Sequence, residues 1–223
     1  MAKPLTYNAT LTARHDHTDA LTSFTITLDE PLEAEPRFVP GQYMTIGMNN
    51  EQEPALGSVR RPMSLASAPQ DSPGLEFYVR YVSQPESDNP LTHLLWRASV
   101  GDRLFLRPKP VGHFTLDHTV GTDDPRLKVM VAAGTGLAPF LSIARHAAQQ
   151  DPNASLSDLA ILHGASYPAD LGYRDELETL ARARGLHDLP TVSRPHEAPD
   201  WTGATGRVED FFKADRLADL ETR

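Results

Sequence analysis

The stretch Ala133-Gly134-Thr135-Gly136-Leu137-Ala138-Pro139-Phe140 decides the fold of the second half of the chain. Residues 129–133 form a continuous apolar run, which is typical of a parallel β-strand covered on both faces. Residues 139–150 predict a helix, with a proline suitably placed in its first turn. Glycines between a strand and a helix let the backbone approach a ligand closely, and the free N–H groups of the helix start favour a pyrophosphate.

The glycine pattern by itself is also compatible with a tight strand-to-helix turn that binds nothing. The third glycine of the dinucleotide fingerprint is missing, because Pro139 stands there, and no Lys-Ser or Lys-Thr pair follows as in a Walker loop. Phosphoryl transfer is therefore disfavoured, and a pyrophosphate site is a hypothesis that needs support from other parts of the chain.

Alternation of strands and helices continues beyond the turn. Residues 159–162 predict a second strand, and Asp170 is suited to cap a helix that stops at Gly185. Residues 189–192 predict a third strand, and residues 208–221 predict a last helix. This order predicts a right-handed βαβ sheet.

The first half of the chain has a different period. Apolar residues recur at every second position in Phe24-Thr25-Ile26-Thr27-Leu28 and in Leu75-Glu76-Phe77-Tyr78-Val79-Arg80-Tyr81, as in half-buried antiparallel strands. Proline and glycine interrupt this half often, as in a small barrel or sandwich. Of these two architectures we predict the barrel, with an antiparallel β-barrel domain over residues 1–122 followed by an α/β, Rossmann-like parallel-sheet domain over residues 123–223.

Composition excludes several classes of function. The 223 residues are 39% hydrophobic and 23% charged, as in globular proteins, and the formal net charge of -9 argues against nucleic-acid or anionic-membrane partners. No apolar run is long enough for a membrane span and no secretory signal is recognised, so we expect a cytoplasmic protein. The chain has no cysteine, and its nine histidines show no metal-ligand spacing. Redox chemistry would therefore need an organic cofactor rather than a metal or thiol.

Short motifs carry a further signal because they run in one order along nearly the whole chain. They are Pro40-Gly41-Gln42-Tyr43, Arg61-Pro62-Met63-Ser64-Leu65-Ala66-Ser67, Pro90-Leu91-Thr92, Gly112-His113-Phe114, the glycine turn, His163-Gly164, Ser193-Arg194 and Gly206-Arg207. In this order they resemble the ferredoxin–NADP⁺ reductase family, particularly its bacterial branch of FAD- and NADP(H)-dependent flavodoxin/ferredoxin reductases.

The resemblance implies that the first domain binds FAD. Arg61 would pair with the FAD pyrophosphate, because arginine is a permanently charged bidentate donor. Ser64 would hydrogen-bond near the flavin N5 atom and is the one residue with an implied catalytic role. The full implied FAD set is Arg61, Pro62, Met63, Ser64, Tyr78, Val79, Arg80, Pro90, Leu91 and Thr92.

The resemblance also implies that the second domain binds NADP(H). Gly134, Thr135 and Gly136 would hold the pyrophosphate. Ser193, Arg194 and Arg207 would hold the adenosine 2′-phosphate, since arginine and hydroxyl donors match a dianion.

The function implied is electron transfer between NADP(H) and a ferredoxin or flavodoxin through FAD. Two alternatives are an NADH-dependent reductase component of an oxygenase and a non-catalytic electron-relay subunit. Because such carriers are usually acidic and this chain is acidic too, docking would need a local basic face. The densest candidate is formed by Arg97, Arg103, Arg107 and Lys109, with help from Arg60 and Arg80.

Three departures from the family pattern affect these expectations. Met63 stands where the family has a flavin-stacking tyrosine, and Ser166 stands where some bacterial relatives have an arginine. The family continues with a strand that bears a Cys-Gly pair and then a tail, whereas this chain ends at Arg223. We therefore expect an incomplete nucleotide domain with an open sheet edge.

Overall fold

The computed structural model describes residues 4–121 and 123–213. The chain divides into two compact units. Unit 1 comprises Met1–Asp124 and Ala138–Gln150, and unit 2 comprises Pro125–Leu137 and Asp151–Arg223. The domains 1–122 and 123–223 stay a prediction; the compact units differ from them in placing residues 138–150 with the first part of the chain.

Unit 1 is built on a six-stranded sheet whose ladders are antiparallel, in the order β4-β3-β6-β1-β2-β5. A bridge between Leu65, just after β4, and Phe77 of β5 joins the two ends of that order. This closure gives the predicted barrel. The strands are β1 (Ala9–Thr18), β2 (Leu21–Leu28), β3 (Tyr43–Asn49), β4 (Ser58–Ser64), β5 (Leu75–Arg80) and β6 (Arg103–Leu106), and the helices are α1 (Leu91–Arg97), α2 (Leu116–Thr119) and α3 (Ala138–Gln150).

The core of unit 1 follows from the alternation in the sequence. Phe24 and Ile26 of β2 pair in register with Phe77 and Leu75 of β5, and all four side chains are fully buried. Every second residue of a strand points to the same face, so the apolar set of each strand lies inside the barrel. The predicted antiparallel strands are confirmed.

Unit 2 contains a four-stranded parallel sheet in the order β10-β9-β8-β7. Helix α4 (Arg174–Arg184) contacts β9 and ends at Gly185, whose φ of 76° is the left-handed conformation expected at a helix stop. The predicted parallel sheet is confirmed. Its strands are β7 (Lys128–Ala133), β8 (Leu159–Ala165), β9 (His187–Val192) and β10 (Ala204–Thr205), with short 3-10 turns at Gly134–Leu137, Pro168–Asp170, Pro195–Glu197 and Val208–Phe212.

Three local predictions need correction. Asp170 does not cap α4; it lies in the preceding 3-10 turn, and Tyr173 precedes the helix in a left-handed conformation. The predicted coverage of β7 on both faces is wrong, since Val129 and Val131 are 40% and 39% exposed. The last helix is seen as the 3-10 turn Val208–Phe212, and its predicted part beyond residue 213 lies outside the described residues.

The exposed residues of β7 alternate with buried ones, so one face of the strand is uncovered. Within residues 4–121 and 123–213, β7 has a neighbour on one side only and is the end strand of its sheet. The strand buried along almost its full length is β8, which lies between β7 and β9. The same residues contain no helix long and apolar enough to cross a membrane.

Candidate functional site

Four predicted FAD residues lie at the end of one strand. Arg61, Pro62, Met63 and Ser64 form the second half of β4 and pair with β3, with Ser64 opposite Tyr43. Arg61 is exposed and donates a hydrogen bond of 2.8 Å to the carbonyl of its neighbour Arg60. Met63 and Ser64 are half-buried, and the Met63 side chain packs against the barrel core. The strand therefore presents a cation and a hydroxyl near its end while its thioether supports the core.

The other predicted FAD residues come from β5 and α1, which the fold brings to β4. Both β5 and α1 contact β4. Tyr78 and Val79 are buried in β5, and Arg80 at its end is exposed. Stacking of Tyr81 on His93, with ring centroids 4.6 Å apart, joins the end of β5 to α1. Three stretches widely separated in sequence thus meet in unit 1.

The start of α1 has the features of an anion site. Pro90 precedes the helix, and no side chain of the described residues caps the N–H groups of its first turn. Leu91 and Thr92 are buried, and the Thr92 Oγ1 atom has no hydrogen-bond partner within residues 4–121 and 123–213. An unpaired buried hydroxyl is costly, so such atoms commonly mark a place that a ligand occupies. Together with exposed Arg61, this start fits a phosphate-bearing group.

A contact of α3 was missed by the sequence analysis. Ser142 is buried and donates to the Ser67 carbonyl at 2.7 Å, and Arg145 donates to the Ala66 carbonyl at 2.9 Å. Arg145 also pairs with Glu76 of β5 at 2.8 Å. These bonds fix the backbone just beyond Ser64. The available signal was a polar stripe at helical spacing, formed by Ser142, Arg145 and Gln149, on a helix whose first turns are otherwise apolar.

The glycine turn follows β7 as the sequence predicts. Gly134 has a φ of 53°, a left-handed conformation that favours glycine, and Gly134–Leu137 forms a 3-10 turn. Apart from the adjoining residues of the chain, no heavy atom of the described part of the protein lies within 4 Å of a Cβ atom added at Gly134 or Gly136. The turn therefore leaves open space beside its backbone, as close approach of a pyrophosphate requires.

The predicted 2′-phosphate residues follow the carboxyl ends of two neighbouring strands of the parallel sheet. Ser193 and Arg194 follow β9, and Arg207 follows β10, which pairs with the end of β9. Arg194 donates to the Tyr167 hydroxyl at 2.7 Å and lies over that ring at 5.6 Å, and this hydrogen bond raises the pKa of Arg194. Arg207 pairs with Glu209 at 2.6 Å. The fold gathers the two arginines, and each already has a partner on the protein.

Two of the four basic residues of the predicted docking face bond to neighbouring side chains of the protein. Arg103 forms a bidentate ion pair with Asp29, and Arg97 donates to Gln52. Arg97 and Arg103 also line a cavity of about 320 Å³ that contains none of the predicted cofactor residues. Arg107 and Lys109 are exposed. The charge of Arg103 is thus largely neutralised, and the basic face is smaller than the sequence alone suggests.

The fold thus combines a closed antiparallel barrel with a parallel sheet that carries a glycine turn after β7. The family model for the oxidoreductase NAD-binding domain matches residues 130–222. The chain is 30% identical over 219 residues to the flavodoxin/ferredoxin–NADP reductase of Rhodobacter capsulatus, covering 98% of this chain and 72% of that protein. The chain therefore belongs to the flavodoxin/ferredoxin–NADP reductase family of oxidoreductases, which confirms the family expected from the sequence motifs.

Two further comparisons show the breadth of the family. Component C of the methane monooxygenase of Methylosinus trichosporium is 36% identical over 188 residues, covering 82% of this chain and 48% of that protein. The crystal structure of a ferredoxin NADP⁺ reductase from Neisseria gonorrhoeae, with bound FAD and NADP, superposes with a TM-score of 0.73 at 24% identity, covering 96% of this chain and 78% of that one. The expected fold class is thereby confirmed.

Proposed function

We propose that this protein is a flavodoxin/ferredoxin–NADP⁺ reductase. It is a flavoprotein of that family, uses FAD and NADP(H), and transfers electrons between NADP(H) and a small carrier protein. The observation that carries the proposal is the 30% identity over 219 residues to the Rhodobacter capsulatus reductase. Bound FAD supplies the chemistry that links two-electron hydride transfer to single-electron transfer, and the protein supplies position and electrostatics. We also propose a cytoplasmic location, which fits a reductase of small carriers.

The proposed FAD residues are those of β4, β5 and α1. Thr92 Oγ1, buried and unpaired in the described residues, donates to a phosphate oxygen, and the uncapped first turn of α1 adds backbone N–H groups. Arg61 is exposed and pairs with no carboxylate within the described chain, which suits it to the pyrophosphate. Ser64 at the end of β4 is proposed to hydrogen-bond to the flavin ring near N5. Packing of Met63 against the barrel core keeps the strand end in place without a stacking tyrosine.

NADPH is the proposed coenzyme because Arg194 and Arg207 follow the carboxyl ends of neighbouring strands, where they would bind an adenosine 2′-phosphate. Tyr167 holds the guanidinium of Arg194 through a hydrogen bond and a ring contact, so its side chain is already ordered for a phosphate. Ser166 stands where some relatives have an arginine, and the backbone N–H of Arg194 donates to its carbonyl oxygen at 3.0 Å. The adenosine 2′-phosphate is absent from NADH. Arg194 therefore contributes to discrimination between the two coenzymes.

An absorbance experiment tests whether the protein holds a flavin that NADPH reduces. The purified protein should show flavin bands that bleach with NADPH faster than with NADH. Arg194→Ala should lower kcat/KM for NADPH at least tenfold and leave that for NADH nearly unchanged, because a charge-assisted hydrogen bond contributes roughly 1.5–3 kcal/mol. Equal losses for both coenzymes would remove Arg194 from the 2′-phosphate site. A flavin that NADPH does not reduce would support a non-catalytic relay instead.

A second candidate function is the reductase component of an oxygenase, and the 36% identity to the methane monooxygenase component favours it. The acceptor decides between the two. Under our proposal, the reduced protein transfers electrons to a ferredoxin or flavodoxin, and Arg107→Glu with Lys109→Glu raises the KM for that carrier without changing ferricyanide reduction. Carrier reduction insensitive to these changes and to salt would show that docking occurs elsewhere. Preference for an oxygenase component over both carriers would favour the second candidate.

A further inference from the structure

One buried titratable side chain in unit 2 has no place in the functions described so far. His163 lies in the middle of β8, opposite Ala132 of β7, and is 1% exposed. Its Nε2 atom lies 3.2 Å from the carbonyl oxygen of Gly134, the first residue of the glycine turn. Burying the polar ring of a histidine costs folding free energy unless the ring forms a hydrogen bond. Within the described residues, the contact with the Gly134 carbonyl is the hydrogen bond of Nε2.

The protonation state of His163 follows from this contact. A carbonyl oxygen can only accept, so Nε2 carries the proton and donates to it. Burial lowers the pKa of His163 to about 4, so the ring is neutral throughout the range in which such a reductase works. The turn is therefore held by a single neutral tautomer, with Nε2 protonated, and no change of charge near pH 7 disturbs it.

Because the peptide unit is rigid, the hydrogen bond to the Gly134 carbonyl also affects the orientation of the next backbone N–H group, that of Thr135. The Gly134 carbonyl and the Thr135 N–H belong to one planar trans peptide, so they point in opposite directions. When His163 holds the carbonyl, the direction of the Thr135 N–H is fixed as well. Gly134 has a φ of 53°, and glycine can adopt many other backbone conformations at little cost, so the contact from His163 selects one of them.

We infer that His163 is a positioning residue for the pyridine nucleotide: by binding the Gly134 carbonyl, it orients the backbone N–H groups of the glycine turn toward the pyrophosphate. The inference rests on the proposed function of that turn. The pyrophosphate is common to NADPH and NADH, so His163 affects the two coenzymes equally. Arg194, in contrast, affects NADPH alone.

Two substitutions separate the hydrogen bond from the packing. His163→Leu keeps a buried side chain of similar size and removes the donor, whereas His163→Gln restores an N–H donor at about the position of Nε2. Dissociation constants of NADP⁺ and NAD⁺ for the FAD-loaded protein are measured by titration calorimetry, with Tm as a check on folding. We expect a tenfold or larger weakening of both coenzymes in His163→Leu, and less than a threefold change in His163→Gln. Binding of adenosine 2′-monophosphate, which has no 5′-phosphate, should be unchanged in both.

The outcomes are separable. Equal weakening in the leucine and glutamine variants, with unchanged Tm, would overturn the inference, because the donor would then be irrelevant. Nucleotide binding unaffected in His163→Leu but weakened in Gly136→Ala would overturn the inference and leave the proposed turn site standing. Binding unaffected in both would remove the proposed turn site itself. If His163→Leu does not fold, the inference is tested by nucleotide binding to His163→Gln and by the ring ¹⁵N shifts of the wild-type protein. A ring that is protonated at Nδ1 and not at Nε2 at pH 7 would refute the inference.

Discussion

Gly136→Ala is the substitution that most directly tests whether the glycine turn binds a nucleotide. Gly136 does not have a positive φ, and a Cβ built there meets no heavy atom within 4 Å. The protein therefore gives no steric or conformational reason why this residue must be glycine. The proposed reason is a ligand that needs the open space beside the backbone.

The expected effects on stability and binding have opposite signs. Alanine at an unstrained glycine position stabilises a fold by about 0.4–1 kcal/mol, because it restricts the unfolded chain. The added methyl group displaces a bound pyrophosphate from the turn N–H groups, and loss of one hydrogen bond to a charged group costs roughly 1.5–3 kcal/mol. That cost corresponds to an increase of about 10- to 150-fold in the Kd of NADP⁺.

The assay combines urea unfolding with calorimetric titration of NADP⁺ into the FAD-loaded protein. Two glycines with positive φ serve as controls, since Gly134 and Gly57 also have open space but φ values of 53° and 72°. Alanine should cost about 1–2 kcal/mol of stability at Gly134 and about 1–3 kcal/mol at Gly57, whose ψ of -145° lies outside the left-handed helical region. Only the substitution at Gly134 should also weaken the nucleotide, because Gly57 lies in a loop of unit 1.

Unchanged NADP⁺ affinity in Gly136→Ala would refute the reasoning, since the open space would then serve no ligand. A clear loss of stability in that variant would show instead that the glycine is required by the fold. Either result would return the turn to a plain strand-to-helix connection.

Three further predictions concern other parts of the protein. Thr92→Val should stabilise the FAD-free protein by about 1 kcal/mol, because it removes an unpaired buried hydroxyl, and should lower FAD retention; unaltered retention would remove Thr92 from the FAD site. Arg145→Met should lower the urea-unfolding free energy by about 2–3 kcal/mol, since it removes both the ion pair with Glu76 and the hydrogen bond to the Ala66 carbonyl in a partly buried site, and a loss below about 0.5 kcal/mol would contradict this. Burial raises the pKa of Asp188 to about 6, so the folded protein binds a proton more tightly than the unfolded chain; this contribution is present at low pH and is lost as pH rises through about 6. Asp188→Asn should therefore stabilise the protein on the order of 2–3 kcal/mol at pH 7.5 and little near pH 4, and a gain independent of pH would refute the assignment.

The sequence by itself determined the elements and their class. The alternation around Phe24 and Phe77 predicted antiparallel strands, and the pattern around the glycine turn predicted a parallel sheet, both of which the structure shows. Such patterns are local, because a strand or a turn is specified by residues that are neighbours in the chain. The order of the motifs was likewise readable along the chain, and it was enough to predict the family that the comparisons confirm.

Only the tertiary structure decided which side chains meet. It placed Arg145 against Glu76, Arg194 against Tyr167 and His163 against the Gly134 carbonyl. These partners are tens of residues apart, and their meeting depends on strand order, register and helix placement, which no local pattern contains. The exposure of Val131 in β7 has the same origin: an apolar run predicts burial, but whether another element covers a given face of a strand is a property of the assembled fold.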